Sequence, residues 1–561
     1  MNVLLVNPRY PQTFWSFEKV LRMLNKKCVQ PPLGLLTVAA LLPQDWDLRL
    51  VDITVREVSE DDWDHCESVF VTGMGNQYSG IMEIIRQAKA RGKTVVAGGP
   101  LVFHAPEDAL KAGADIVVRG EAETSMPRLL EALKHNESGI IIEPNGRPDL
   151  SISPPPRYDL LNINDYVDMA IQFSRGCPFH CEFCDITLMF GRKVRTKSPD
   201  QILQELQILY DLGWRRLVFV VDDNFIGNPS RTKELLRKLV PWMEERGNPF
   251  DFNTQASVNL AADQELLDLM VRAGFWKVFL GIESLDRETL NDAKKFQNAA
   301  VDLDRVCEKI NRAGLQIIAG CILGFDNELA GADKGLIDFA SRNYIPEMFV
   351  TLLQAGPGTD LWQRLEKEGR LMFRGFNDNF GSQTGLLNFL PTRPLNEIAT
   401  EFIHLYRVLY EPKHYLERSF EYLSRMESPP PKKAFSLPYI SELRSVFITI
   451  FRQGVLYPSR LTFWKCFFKG LLRFPERFRY FLSACVVAEH YYDYRRTIEV
   501  ELETQLAHSL SVPTLTGSDE KGTPGSEGTR NLVKSNRSPG TTLESEMTKP
   551  LSHQDTKKKL I

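Results

Sequence analysis

No stretch of the 561 residues is apolar for long enough to cross a bilayer, which argues against a transmembrane helix. The N-terminal MNVLLVNPRYPQTFW has no charged segment ahead of its apolar run and meets proline at position 8. It reads as a first strand and not as a secretion signal. A cytoplasmic, reducing setting is therefore expected, where disulfides are disfavoured. The odd number of cysteines, nine, points weakly the same way. Strong charge of one sign is also missing: the net charge is −4, so the composition gives no case for nucleic acid. No GxGxxG follows the first strand, which weakens a dinucleotide site. What is there is an ordinary globular profile, 43% hydrophobic and 25% charged. The length calls for roughly two to four domains.

Residues 1–150 alternate short apolar strands with helical stretches. Strands are expected at VLLVNP (3–8), LRLVD (48–52), SVFVTGM (68–74), TVVAGGP (94–100) and DIVVRGE (115–121). Near-continuous apolar strands separated by helices indicate a doubly wound α/β domain with a parallel sheet covered on both faces. Such sheets bind ligands at the carboxyl ends of their strands. The candidate positions are Asn7, Pro8, Asp52, Gly73, Gly75, Gly98, Gly99, Gly120 and Glu121. Glycine and proline punctuate every α/β fold, so plain turns are the competing explanation.

The proline-rich ISPPPRYDLL lies in a linker, 151–168, and a second βα series fills 169–390. Its strands are expected at 169–176, 216–223, 252–257, 277–284, 315–324 and 348–354, enough for a barrel or partial barrel with its chemistry at the strand ends. Residues 391–508 turn helical and aromatic-rich. The stretch 461–496 mixes Trp464, Phe467, Phe468, Phe474, Phe478 and Phe481 with Lys465, Lys469, Arg473, Arg477 and Arg479. This segment either packs on the barrel or lies in a membrane interface with its rings down, as a peripheral contact at the inner face of the membrane. The tail, 509–561, is rich in Ser, Thr, Gly, Pro and charge and is expected to be disordered.

The densest chemistry is RGCPFHCEFCD at 175–185, with Cys177, Cys181 and Cys184 spaced Cys-x3-Cys-x2-Cys. A structural zinc site normally has four protein ligands. The next cysteine is Cys307, and His180, between two of the three, would cramp a tetrahedron. Closely spaced soft thiolates suit an iron–sulfur cubane. Three thiolates on four irons leave one iron open to a chelating substrate or cofactor.

CPFHCEFC resembles the cluster loop of the radical S-adenosylmethionine (SAM) superfamily. That resemblance implies that Cys177, Cys181 and Cys184 hold a [4Fe–4S] cluster and that SAM binds the open iron through its methionyl end. Phe183 would pack near the adenine. The family often has a Gly-Gly-Glu turn after the second strand; this chain has VDDNF, with Asp222 and Asp223 as the acidic pair. Gln255 and Glu283 end the next two strands, and Glu283 resembles the family's polar contact to SAM. Gly320 and Gly324 in GCILGFD resemble the backbone edge beside the adenine.

The leading α/β domain and PPLGLLTVAALLP (31–43) resemble the cobalamin-binding subgroup. No Asp-x-His-x-x-Gly is present, and His65 and His104 lack that context. GRKVRTKSPDQILQEL, VDDNFIGN and the helical C-terminal region resemble the branch that includes the hopanoid C-2 methylase; TGMGNQ (72–77) is a visible departure. The resemblance implies methylation of an unactivated carbon, on a lipid-like polycyclic substrate. SAM is cleaved to a 5′-deoxyadenosyl radical that removes a hydrogen, methylcobalamin supplies the methyl group, and a second SAM restores it. It also implies an electron donor such as flavodoxin or ferredoxin. The alternative is a radical SAM oxidoreductase or cyclase without methyl transfer.

Overall fold

A computed structural model describes residues 1–511 apart from 374, 377, 379, 429 and 432–439. Short apolar runs bounded by Asn, Asp, Thr or Gly become strands because both of their faces are covered by helices. The first six are β1 (Asn2–Asn7), β2 (Asp47–Asp52), β3 (Ser68–Thr72), β4 (Thr94–Gly98), β5 (Ile116–Val118) and β6 (Ile140–Ile142). They form one parallel sheet in the order β2-β1-β3-β4-β5-β6, with Leu5 of β1 between Leu50 and Phe70. The order reverses at β1, so the crevice between the ends of β1 and β3 is the switch point where such sheets take a ligand. β6 was not expected from the sequence: GIIIE offers only three apolar residues, too few to distinguish an edge strand from a loop.

The second series is β7 (Met169–Ile171), β8 (Ser174–Arg175), β9 (Arg195–Thr196), β10 (Leu217–Val220), β11 (Asp251–Ala256), β12 (Phe275–Glu283), β13 (Gln316–Leu323) and β14 (Glu347–Leu352). Six of them make a parallel partial barrel, β7-β10-β11-β12-β13-β14. The run expected as one strand, 169–176, divides in two, and β8 turns away to pair antiparallel with β9. The break comes where the side chain of Asp222 takes the N–H of Phe173 (2.7 Å) and the hydroxyl of Ser174 (2.5 Å).

β14 is an edge strand, and the C-terminal helices cover it. Tyr406, in the helix Leu395–Leu409, donates its hydroxyl to the Val350 carbonyl (2.8 Å) and accepts the Val350 N–H (3.2 Å). Tyr410 does the same at Met348. Tyrosine hydroxyls thus satisfy backbone groups that a further strand would have taken. Much of the aromatic content of the C-terminal region is buried in the core it shares with the barrel, including Phe463, Phe474 and Phe481.

The segment 151–168 is not a loose tether. Tyr158 and Tyr166 are in the core, and Tyr158 donates to the Ala170 carbonyl (2.7 Å). Residues 1–511 form one compact unit. Of the tail expected to be disordered, 509–511 continue the last helix, Phe478–Ser511, and 512–561 lie outside the described residues.

Candidate active site

The cluster loop leaves β8 through Gly176, whose φ is +95°. A Cβ there would lie 2.8 Å from the Lys193 carbonyl oxygen, so only glycine lets the chain turn into the loop. The loop is then pinned from several sides. The Cys177 N–H donates to the Gly191 carbonyl (3.2 Å), and the Glu182 N–H donates to Ala293 (3.0 Å). The Glu182 carboxylate takes Arg364 (2.5 Å), and His180 pairs with Asp360 (3.1 Å). His180 is therefore engaged away from the thiols.

Cys177, Cys181 and Cys184 are half-buried and unpaired by disulfides. Burial pushes all three thiols up, so they are neutral until a metal displaces their protons. Lys295 lies beside them. Burial opposes its charge, but Glu283 (2.7 Å), joined by Cys181 and Cys184 once these are thiolates, outweighs that and keeps it protonated. A cation there favours the thiolate form. Among the described residues no three His, Cys, Asp or Glu side chains gather round a single-ion position. Three closely spaced thiols without a fourth protein ligand suit the corners of a cubane.

The strand ends converge on this loop with unequal roles. Asp222 is fully buried and spends its carboxylate on Phe173 and Ser174. It supports the β7–β8 corner and is not among the residues that line the main cavity. Asp223 lines the main cavity, and its buried Oδ2 has no hydrogen-bond partner. Burial, then Asp222 and Asp185, push its carboxyl up to about 7. A cavity-lining carboxylate with one oxygen left unpaired fits a cationic ligand group such as an ammonium. Gln255 lines the same cavity.

Glu283 adopts φ +64° at a register irregularity of β12, which turns its carboxylate to Lys295. Its direct partner is thus a lysine. Gly320 has room for no side chain, since a Cβ would meet the Phe279 ring at 2.4 Å. The Gly324 N–H is held by Glu328 (2.8 Å). Phe183 packs edge-on against Phe325 (6.0 Å), next to Gly324, in a narrow crevice separate from the main cavity.

The first sheet faces the loop across a cavity of ≈ 2010 Å³. That exceeds the roughly 300–1,000 Å³ of a single small-molecule site. Asn7, Gly73, Gly75, Gly98, Gly99, Gly120 and Glu121 line it. Pro8 and Asp52 do not. The Pro8 carbonyl accepts from Gln77, while Asp52 is buried, its carboxyl pushed up by that burial, and accepts from Asn7 (3.2 Å) and Tyr166 (3.3 Å). Gly99, at φ +90°, lies so close to Thr72 that a Cβ would fall 1.9 Å from its hydroxyl. This glycine-lined cradle at the switch point fits a large flat ligand such as a corrinoid. His104 lines the cavity and contacts Asp185 (3.0 Å), whereas His65 pairs with Asp47 at the far end of the sheet. Glu121 and Glu123 hold Arg175 at 2.7 and 2.9 Å, and Glu121 also holds Arg195 (2.8 Å), fastening the cradle to the cluster loop.

Residues 171–339 match the radical SAM superfamily and residues 21–130 the B12 binding domain. Residues 359–504 match a domain of unknown function (DUF4070). An uncharacterized methyltransferase of Synechocystis sp. is 46% identical over 91% of this chain and 95% of its own length. The hopanoid C-2 methylase of Rhodopseudomonas palustris is 32% identical over 88% of this chain and 93% of its own. The chain belongs to the B12-binding radical SAM family. The fold of OxsB, a cobalamin-dependent SAM radical enzyme, agrees at a TM-score of 0.56 and 14% identity, over 92% of this chain and 82% of that one. This B12-binding radical SAM protein is thus an enzyme related to several methyltransferases, using a [4Fe–4S] cluster, SAM and cobalamin.

Four contributors were missed from the sequence. Lys295 sits in DAKKFQNAA, which carries no motif. Gln297, beside Cys181 (4.0 Å), comes from the same stretch. Glu328 had a readable signal, an acidic residue four positions after the second glycine of GCILG. Arg175, immediately before the cluster loop, could have been suspected from its place alone.

Proposed function

We propose that this enzyme methylates a carbon of an amphiphilic, lipid-like polycyclic substrate, of which a hopanoid is the leading candidate. The observation that carries the reading is the cavity itself. It runs from the glycine cradle past Asp223 to an aromatic wall of Trp15, Phe279 and Phe349, with ring centroids 5.2 to 6.1 Å apart. Beyond that wall lies a polar floor. Lys277 pairs with Glu347 (2.6 Å), which also accepts from Gln316 (2.7 Å) and Tyr491 (2.9 Å). Asp168 beside them has its carboxyl pushed up to about 7 by burial and leaves Oδ1 unpartnered. A rigid apolar body against the rings and a hydroxylated end on the floor match this chamber.

When bound, SAM and cobalamin supply the hydrogen-abstracting radical and the methyl group. The chain's own residues orient and shield. Asp223 receives a cationic group, Lys295 keeps the thiolates paired with charge, and the aromatic wall excludes water that would consume a reactive species. An electron donor of the flavodoxin or ferredoxin type completes the turnover. The relative that methylates C-2 of hopanoids supports the substrate class.

The test uses anaerobically purified protein with cobalamin, methyl-labelled SAM and a hopanoid-containing lipid extract. Label on a lipid heavier by one CH2 unit is expected. 5′-Deoxyadenosine without methylated product would favour the oxidoreductase or cyclase alternative.

A further inference from the structure

The helix Ile440–Phe451 buries polar side chains beside Ile448 and Ile450 and leaves large apolar ones outside. Ser445, Thr449 and, in the turn that follows, Gln453 face the protein and are buried, at 2%, 2% and 0% exposure. Gln453 donates to Cys485 (2.7 Å) and Glu489 (3.1 Å) of the last helix, while the Thr449 hydroxyl has no partner. Leu443, Phe447, Phe451 and Val455, four apart, form the outward stripe, with Phe447 72% exposed. The next helix, Arg460–Arg473, continues it with Leu461, Phe468, Leu471 and Leu472, the last 83% exposed. The indole N–H of Trp464 donates to the Gly454 carbonyl (2.8 Å) and joins the two helices into one hairpin. A water-facing helix presents the opposite arrangement, and contiguous exposed apolar surface on this scale marks an interaction site.

Two observations say what covers it. Residues 440–473 carry six basic side chains and one acidic, Glu442. Among the described residues Arg444, Arg460, Lys465, Lys469 and Arg473 are exposed and in no ion pair with an acidic side chain. Apolar stripe plus basic flank complements an anionic lipid surface. The patch also continues into the cavity, because Leu443 belongs to both the stripe and the cavity wall, and Val446 joins it there.

We infer that the 440–473 hairpin is a monotopic docking element for anionic bilayers, holding the cavity mouth against the lipid surface. No helix among the described residues is long and apolar enough to span a membrane, so the contact is with one leaflet. The position of the rings differs in part from the sequence expectation. Phe474 and Phe481 are core residues, and half of the apolar groups named in the stripe come from 443–455, ahead of the stretch singled out.

The experiment is flotation of the full chain with vesicles of phosphatidylcholine, with and without phosphatidylglycerol, at low and high salt. Binding is expected only with the anionic lipid and to fall as salt rises. Phe447→Glu with Leu472→Glu should lower it more than tenfold, and Lys465→Ala with Lys469→Ala and Arg473→Ala should remove the preference for anionic lipid. Reconstituted cluster absorbance and reductive SAM cleavage in lipid-free buffer should be unchanged in both variants, which separates loss of docking from loss of fold or chemistry. Failure of the parent to float, or equal flotation by the Phe447→Glu/Leu472→Glu variant, overturns the inference. A concentration-dependent dimer that this variant abolishes would assign the face to a second copy instead. None of these results depends on which substrate is methylated.

Discussion

Asp222 and Asp223 are neighbours in VDDNF, yet the chain uses them in opposite directions. Asp222→Ala leaves the Phe173 N–H and the Ser174 hydroxyl without an acceptor in a buried corner, and should cost about 2–4 kcal/mol in denaturant unfolding. Asp223→Asn should leave stability within about 1 kcal/mol of the parent, but weaken SAM binding about tenfold, a charge-assisted contact being lost. Cys181→Ala should remove cluster absorbance and reduce reductive SAM cleavage by far more than tenfold, because it deletes a ligand and not an outer contact. Asp168 offers a pH test. Burial pushes its carboxyl up to about 7 in the folded state, above the ordinary carboxylate value, so the folded protein holds a proton that the unfolded chain has released. Its contribution is complete at low pH and is lost as pH rises through about 7. Asp168→Asn should therefore stabilise the protein near pH 8 relative to pH 5, by about 2 kcal/mol, measured by chemical denaturation.

Strand ends and turns hold the ligand surfaces in place. Gly99 follows β4 in a conformation that an L-residue adopts only under strain, with Thr72 against it. Gly99→Ala should thus displace the β3 and β4 loops and lower the corrinoid retained through gel filtration, read from its visible absorbance. Of the twelve strands in the two large sheets, eight were legible as apolar runs to within two residues at both ends, β5 and β10 stop three residues earlier than expected, and two were misread. The two exceptions have physical causes. β6 is too short to show a period, and β7 ends early because Asp222, about fifty residues away, captures its backbone. The site residues divide along the same line. The cysteines announce themselves by spacing, but Lys295 and Arg175 owe their places to chain segments that meet only after folding.

The fastening between cradle and cluster loop belongs to the molecule as a whole. Arg175 is held between the buried Glu121 and Glu123, and the latter accepts from Ser153 in the connecting segment (2.9 Å). Taking away the arginine leaves two buried carboxylates, one of them with Arg195 alone, so Arg175→Gln should cost about 3 kcal/mol or more. Because the same residue precedes Gly176, cluster reconstitution should fall with it; full iron incorporation in that variant would show that the junction and the loop are independent.

The sequence by itself determined the two α/β series, the helical finish and the three thiols, since these depend on local period and spacing. Tertiary structure alone decided which acidic residue faces the cavity, which lysine meets the sulfurs, and which face of the 440–451 helix points outward. Those choices depend on what each side chain packs against, and Gln453 faces inward because Cys485 and Glu489 of a distant helix satisfy it there.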